Sequence, residues 1–240
     1  MSADVLRCER VSMRFGHKEV LRELDFALAP GEVTVLLGEN GSGKSTLLRL
    51  ALGVLRAAQG RITVLGRDPV RAAQAVQQAV GYVPSEPDVD RWITPRELCA
   101  FLRAHYPGFD TGYAMRLAAE LRVPLGRRFA QLSRGEAMKA MLVAALAPRP
   151  RLLLLDEPFA GLDPLVRDEV LAGVLGPLRD AGMSVLCATH ELDVTARLAD
   201  RIAVLAHGRI VRHGPLEELV GADQGRLPAA IGALLQETCA

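Results

Sequence analysis

Long hydrophobic runs, paired cysteines and an excess of charge of either sign are all missing from this sequence of 240 residues. Apolar runs such as residues 141–147 and 152–155 fall far short of the roughly 20 residues that a membrane-spanning helix needs. The N-terminal residues also lack the apolar stretch of a signal peptide. Any attachment to a membrane is therefore expected to pass through a partner chain.

Cysteine spacing and net charge argue against two further kinds of site. Cys8, Cys99, Cys187 and Cys239 lie far apart and form no C-x-x-C pair, so buried thiols in a reducing compartment are expected and a zinc site is not. The formal net charge is +1, which provides no basic field for nucleic acid, and no nucleic-acid partner is expected. The length suits one α/β domain with a sizeable core.

Short apolar runs predict the strands of a sheet, because each run is brief and ends at turn or polar residues. These runs are 33–37, 152–155, 184–188 and 201–205. A turn at His207-Gly208 and a further run at 209–212 follow the last of them, which predicts a hairpin. Helical stretches alternate with these strands, so the sequence predicts an α/β fold with a mostly parallel sheet.

The middle of the chain reads as successive helices without a strand between them. Thr94-Pro-Arg-Glu97 has threonine at the cap, proline at the first helical position and glutamate at the third. A break at 106–111 precedes a second helix near 112–122. We therefore expect a helical subdomain, at about residues 88–147, inserted into the α/β core. The alternative is that these helices simply cover the sheet.

A glycine-rich segment predicts a nucleotide site. Gly38-Glu-Asn-Gly-Ser-Gly-Lys-Ser-Thr46 matches G-x-x-x-x-G-K-[ST] directly after a predicted strand and before a helical run, a context that a chance glycine-rich turn rarely has. Its backbone N–H groups can converge on phosphates, aided by the helix dipole. Lys44 can neutralise phosphate charge and the Ser45 hydroxyl can bind Mg²⁺. The predicted nucleotide-binding residues are Gly38, Asn40, Gly41, Ser42, Gly43, Lys44, Ser45 and Thr46.

Acidic residues and a histidine follow two other predicted strands. The carboxyl ends of parallel strands share one edge of a sheet, where ligands collect. There Asp156 is placed to hold Mg²⁺ through water and Glu157 to polarise an attacking water. His190 could orient that water or Glu157. The alternatives are that the two acids cap the next helix and that the histidine is structural.

One further motif, Leu132-Ser-Arg-Gly-Glu136, distinguishes the chain from other phosphate-loop ATPases. With it, the sequence resembles the nucleotide-binding domains of ABC (ATP-binding cassette) proteins, whose signature reads LSGGQ. The resemblance implies a P-loop NTPase core with an N-terminal antiparallel β part and the inserted helical subdomain. It gives an ABC ATP-binding domain at 1–220, followed by a short C-terminal tail at 221–240.

The resemblance also implies roles for residues outside the phosphate loop. Ser133 and Gly135 of the signature would contact ATP held by a second copy of the chain, in a head-to-tail homodimer. Asp163 belongs to the D-loop, Gly161-Leu-Asp-Pro164, and His190 is the switch histidine. Phe15 stands where the family often has an aromatic residue that stacks on adenine, although a core phenylalanine would look the same.

Departures from the family pattern concern the signature and the metal site. Arg134 and Glu136 replace the usual Gly and Gln, while Ser133 with Glu136 keeps the spacing of a capping box. Ser85 stands where the family has a glutamine that contacts Mg²⁺. Ser85 is therefore a candidate metal contact with a shorter reach, and Glu86 could substitute for it.

The resemblance implies the ATP-hydrolysing subunit of a membrane transporter, with ATP and Mg²⁺ as ligands. An exporter is the leading interpretation, with a separate membrane-spanning subunit that holds the chain at the cytoplasmic face of the membrane. Three alternatives stay open. They are an importer subunit, a soluble ABC ATPase that acts on nucleic acid or ribosomes, and a poorly hydrolysing member that pairs with an active one.

Overall fold

A computed structural model describes residues 4–220 and 229–233. The strands are β1 (Leu6–Phe15), β2 (Lys18–Leu28), β3 (Val33–Leu37), β4 (Gln59–Val64), β5 (Val80–Val83), β6 (Leu152–Asp156), β7 (Ser184–Thr189), β8 (Arg201–Ala206) and β9 (Arg209–Pro215). The α-helices are α1 (Lys44–Ala51), α2 (Ala73–Ala79), α3 (Pro95–His105), α4 (Thr111–Glu120), α5 (Arg134–Leu146), α6 (Pro164–Val170), α7 (Gly176–Asp180), α8 (Leu192–Leu198) and α9 (Leu216–Val220). A 3₁₀ turn covers Phe129–Gln131, and a π-helical turn covers Leu171–Leu175.

The larger sheet has six strands in the order β5-β6-β7-β3-β8-β9. Its first five strands are parallel, and β8 and β9 form an antiparallel hairpin. The strands β3, β6 and β7 are buried along their whole length, which explains their continuous apolar character. The predicted parallel sheet and hairpin are confirmed. β3 matches its predicted run, and the other predicted strands extend one to three residues beyond theirs.

A second sheet of three antiparallel strands, in the order β2-β1-β4, forms the N-terminal part. The resemblance implied an antiparallel β part here, and the structure has it. The strands' inward residues join α1 and one face of the larger sheet in a single apolar cluster. The sequence pattern alone predicted neither these strands nor β5.

Helices α3, α4 and α5 follow one another between β5 and β6 without an intervening strand. Thr94 caps α3 with the predicted reciprocal bonds to Glu97, and Asp110 caps α4 by accepting from the N–H of Tyr113. These helices share the second apolar cluster with the other face of the larger sheet. The insertion therefore has its own helices but no separate core.

Three cysteines in the described part of the chain, Cys8, Cys99 and Cys187, are buried free thiols. Cys239 and the predicted tail lie outside the described residues, apart from a helical turn at 229–233. Within the described ranges, no helix is both long and apolar enough to cross a membrane.

Candidate functional site

The glycine-rich loop lies between the carboxyl end of β3 and the start of α1. Gly41 and Gly43 have φ angles of 83° and 112°, a left-handed region that suits glycine. A Cβ on Gly43 would lie 2.8 Å from Leu21 Cδ2, and one on Gly38 would lie 2.5 Å from the Leu205 carbonyl oxygen. The loop can therefore take this shape only with glycine at these positions.

Lys44 is the first residue of α1, and its side chain folds back under the loop. Its Nζ donates to the carbonyl oxygens of Gly38, at 2.6 Å, and Glu39, at 3.1 Å. The same Nζ lies 3.0 Å from Glu157 Oε1. The lysine is 5% exposed, so its charge is held inside the site and opposite the carboxylate that follows β6.

Ser45 and Asp156 meet across 111 positions of sequence. Ser45 Oγ donates to Asp156 Oδ1 at 2.9 Å. Burial raises the pKa of Asp156 above its usual value, and the charge of Glu157 raises it further. The bond from Ser45 and the charges of Arg49 and Lys44 lower this pKa and offset part of the effect. The neighbouring positive charges and the bond from Ser45 therefore offset only part of the cost of burying the charged Asp156 carboxylate.

Glu157 occupies an unusual position directly after β6. Its φ of 47° is uncommon for a residue with a side chain, and such backbone strain is often found at functional sites. Oε2 lies 3.0 Å from His190 Nδ1. Oε1 is buried and accepts no hydrogen bond among the described residues, because its contact with Lys44 Nζ lacks hydrogen-bond geometry. Oε1 is therefore paired with the Lys44 charge and can accept a hydrogen bond from a further donor when Lys44 moves away.

The residues around the loop fit a nucleoside triphosphate. Ser42 Oγ is buried and has no hydrogen-bond partner in the described part of the chain, so a phosphate oxygen would satisfy it. A groove of about 270 Å³ beside the loop is lined by Lys18, Asn40 and His207, among others. The predicted loop residue Thr46 follows Ser45 in α1.

Ser45 and Asp156 together fit a magnesium ion. Magnesium sites in nucleotide-binding proteins use one or two carboxylates and complete their ligands with phosphate oxygens and water. One hydroxyl and one carboxylate therefore suffice. Residues 4–220 and 229–233 contain no cluster of three or more His, Cys, Asp or Glu side chains that could bind a metal by itself.

The signature residues lie at the start of α5, where Ser133 is the N-cap. Ser133 Oγ accepts from the N–H of Glu136, whose carboxylate accepts from the N–H of Ser133, so the predicted capping box is confirmed. A Cβ on Gly135 would lie 2.9 Å from Val166 Cγ1 of α6. Close packing against Val166 within this chain therefore also favours glycine at position 135, and sequence reasoning missed this contact.

Ser85, Asp163 and Phe15 lie at three further places. Ser85 follows β5 and lines a groove of about 370 Å³ together with Ser133 and Arg134. Asp163 is the N-cap of α6 and accepts from the N–H of Leu165. Phe15 ends β1 and is 50% exposed, which excludes the alternative of a core phenylalanine. Among the described residues, no side-chain hydrogen bond or ion pair joins Ser85, Asp163 or Phe15 to Lys44 or Glu157.

The geometry agrees with what comparison with known proteins shows. A family model described as ABC transporter matches residues 21–160, which include the glycine-rich loop, the signature and the acids after β6. The chain belongs to the ABC transporter family. ATP-binding cassettes of this family bind ATP and are ATPases.

Relatives of this ABC protein include ATP-binding proteins named for export and for drug resistance. The Nod factor export ATP-binding protein I of Sinorhizobium fredii is 37% identical over 228 residues, which cover 89% of this chain and 64% of the relative. The daunorubicin resistance ATP-binding protein DrrA3 of Streptomyces coeruleorubidus is 36% identical over 250 residues, which cover 98% and 79%. The chain spans 79% of the length of DrrA3 and 40% of the length of another relative, an ABC transporter ATP-binding protein of Streptomyces avermitilis.

The fold of this ABC cassette also has solved counterparts. A structure described as the ATP binding subunit of an ABC transporter superposes with a TM-score of 0.84 at 28% identity and covers 98% of this chain and 99% of its own. A nucleotide-free ATP-binding cassette has a TM-score of 0.78 at 24% identity, with 97% and 95% covered. The fold, with its parallel and antiparallel sheets, is therefore that of an ABC ATPase cassette.

Proposed function

We propose that this chain is the ATP-hydrolysing subunit of a membrane exporter, and that two copies close around two ATP molecules to drive transport. The arrangement of Lys44, Glu157 and His190 carries the proposal, because it pairs a phosphate-binding cation with one oxygen of a carboxylate whose other oxygen contacts a histidine. The exporter assignment is supported by relatives whose names state Nod factor export and daunorubicin resistance.

In the proposed reaction, Lys44 holds the β- and γ-phosphates and Ser42 donates to a phosphate oxygen. Glu157 Oε1 orients the attacking water and accepts its proton, while His190 holds the other carboxylate oxygen. Ser45 and Asp156 would hold Mg²⁺, with Ser85 as a further candidate contact, and the ion would supply positive charge that offsets the charge of the phosphates. When Lys44 turns to the phosphates, its contact with Glu157 weakens, so ATP binding itself readies the carboxylate.

The second half of each site comes from the other copy in this proposal. Ser133 starts α5, and the helix N-terminus with its positive dipole end can bind the γ-phosphate held by the partner. Asp163 faces the same interface. Phe15 has a separate role in the proposal, which is to stack on adenine. The exposure of Leu165, 80% at the start of α6, supports an interface on this side of the chain.

The membrane-spanning subunit is proposed to dock near Ser85 to Trp92. Trp92 is 70% exposed, with the guanidinium of Arg128 5.8 Å from its ring centroid. A large exposed aromatic side chain with a neighbouring arginine is typical of a protein interface. Docking there would hold the chain at the cytoplasmic face of the membrane.

The catalytic part is tested with Glu157→Gln in the purified full chain. The variant should bind ATP as the parent does, and its turnover with Mg²⁺ should fall on the order of 10²–10⁴-fold, the usual effect of removing a general base. Fluorescence titration gives binding and phosphate release gives turnover. Turnover at the parent rate would remove Glu157 from the catalytic role.

The transporter part is tested by purifying the tagged chain from detergent-solubilised membranes of its source cells. A multi-span membrane protein should co-purify in stoichiometric amount, and Trp92→Ala should lower its recovery while Val70→Ala, another exposed apolar residue, should not. Ribosomal or DNA-associated proteins in its place would support a soluble ABC ATPase. The sequence of the membrane protein, together with uptake and efflux assays, would separate an importer from an exporter.

A further inference from the structure

Three consecutive side chains of α6, at 167–169, each bind a charged residue on another element. Arg167 Nη1 donates to Glu191 Oε2 at 3.0 Å. The pairs are Arg167–Glu191, Asp168–Arg197 and Glu169–Lys139. Glu191 is the N-cap of α8, Arg197 lies in its last turn, and Lys139 lies on α5. The helix that follows the D-loop is therefore connected to both ends of α8 and to the signature helix.

Burial separates these pairs into two kinds. The side chains of Arg167 and Glu191 are 21% and 18% exposed. Lys139 is buried, and the side chain of its partner Glu169 is 37% exposed. The less exposed a pair is, the more its loss costs, because the remaining charge is left uncompensated. Asp168 and Arg197 are 49% and 45% exposed, and pairs in such positions contribute little. The Asp168–Arg197 pair is therefore a natural control for the less exposed Arg167–Glu191 pair.

Glu191 directly follows the switch histidine. Its N–H donates to Thr189 Oγ1 at 3.1 Å, and its carboxylate accepts from Arg167. His190, between these anchored neighbours, is half exposed, and its ring nitrogen lies 3.0 Å from Glu157 Oε2. Arg167 therefore helps to fix the stretch of backbone from which His190 reaches Glu157.

The start of α6 packs against the start of the signature helix. A Cβ on Gly135 would lie 2.9 Å from Val166 Cγ1, and a Cβ on Gly161 would lie 3.2 Å from Arg134 Nη1. The contact at Gly135 leaves no room for a further methyl group, and elements packed this closely shift together. Val166 is the residue before Arg167, so a displacement of α5 reaches the Glu191 contact through one short helix.

We propose that Arg167 is a positioning residue that couples the signature helix to the His190–Glu157 pair. The proposal rests on the roles given above to the signature, Glu157 and His190. Arg167 touches none of the reacting atoms and acts through Glu191 and the backbone of His190. If the ion pair between α6 and α8 were purely structural, its removal would lower the stability of the chain and leave kcat per folded molecule unchanged.

Steady-state kinetics of the full chain test this coupling. Arg167→Gln should lower kcat on the order of tenfold, within the range of mutations that alter coupling between sites, with a much smaller change in KM and in ATP affinity. Arg167→Lys, which keeps the charge, should restore most of kcat, and Asp168→Asn should match the parent. Arg167→Gln combined with Glu191→Gln should be no slower than the worse single variant, because both break one contact.

A second measurement does not depend on turnover. In a chain labelled at histidine with ¹⁵N, the His190 ring signal is assigned by its loss in His190→Gln. That signal should move in Arg167→Gln and stay in place in Asp168→Asn. An unmoved signal together with kcat at the parent value, or equal effects of the two variants, would overturn the coupling role.

The two proposals fail in distinguishable ways. If Glu157→Gln abolishes turnover and Arg167→Gln changes neither kcat nor the His190 signal, the proposed function stands and the role of Arg167 is wrong. If Glu157→Gln keeps full turnover, the proposed catalytic role is wrong, and the signal of His190 still decides whether Arg167 positions this histidine.

Discussion

The phosphate-loop half of the site and the signature half are built in opposite ways. In the first, Ser45 and Asp156, separated by 111 positions, meet at one edge of the parallel sheet, and Lys44 reaches Glu157 there. In the second, the polar contacts are local, with Ser133 bonded to Glu136 and Asp163 to the N–H of Leu165. The first half is complete within one chain, whereas the second leaves its helix N-terminus open to another molecule.

The difference suggests that substitutions in the two halves will separate ATP binding from ATP turnover. Changes at the sheet edge should affect both, because in the proposed function this half holds the nucleotide by itself. Changes at the signature should affect turnover alone, since in the same proposal that half acts after the nucleotide is bound and a second copy has closed over it.

Lys44→Ala should have the largest effect on the comparison. It removes the buried cation from the sheet edge and leaves Glu157 without its positive neighbour, so ATP affinity and turnover should both fall, with kcat/KM lower by on the order of 10²–10³. Binding is measured with a fluorescent ATP analogue and turnover by phosphate release. ATP affinity equal to that of the parent would contradict the assignment of this half as the nucleotide holder.

Ser133→Asp tests the signature half without removing its helix cap. Aspartate is as good an N-cap as serine, so thermal stability should stay near that of the parent. Its negative charge would face the phosphate held by a second copy, and turnover should fall on the order of tenfold, equivalent to about 1.4 kcal/mol. ATP binding at dilute concentration should not change. Unchanged turnover would leave Ser133 with a capping role alone.

Asp156→Asn should raise the stability of the chain and lower its turnover. Burial raises the pKa of Asp156, so its charged form destabilises the nucleotide-free fold at neutral pH, and a neutral amide removes that cost. Tm should rise, by about 2–4 °C for each kcal/mol gained, while Mg²⁺-dependent turnover falls. The rise should disappear as the pH falls through the raised pKa, because Asp156 is then itself neutral. A lower Tm at pH 7 would contradict this interpretation.

Thr94→Ala should have the smallest effect. It removes the capping box of α3, which costs about 1 kcal/mol of stability, and the side chain of Thr94 bonds only to Glu97 among the described residues. Denaturant unfolding should detect the loss, while turnover per folded molecule should equal that of the parent. A drop in turnover beyond the loss of stability would show that α3 takes part in the cycle.

Much of the core was predictable because its signals are local or periodic. Continuous apolar runs predicted β3, β6, β7 and β8, since strands covered on both faces need no polar residues. Capping residues predicted the starts of α3 and α5, because the cap and the first turn lie within four positions. The strands β1, β2, β4 and β5 were missed by pattern, since their apolar positions are interrupted and their pairing is long-range.

The candidate site divides in the same way. The loop glycines and Lys44 follow from a motif whose spacing encodes the phosphate cradle, and Asp156 follows from its place at the carboxyl end of a predicted buried strand. The packing of Gly135 against Val166 and the pair formed by Arg167 and Glu191 have no sequence signal, because each joins elements whose approach depends on the packing of α5, α6 and α8.

The sequence by itself determined the residues that can bind a nucleotide and the family to which they belong, because the loop, the signature and the acids are short segments with fixed internal geometry. Only the tertiary structure decided that Lys44 faces Glu157, that His190 holds the other oxygen of this carboxylate, and that α6 connects both to the signature helix. These contacts depend on strand order and helix packing, which bring together side chains too far apart in sequence for any local pattern to relate them.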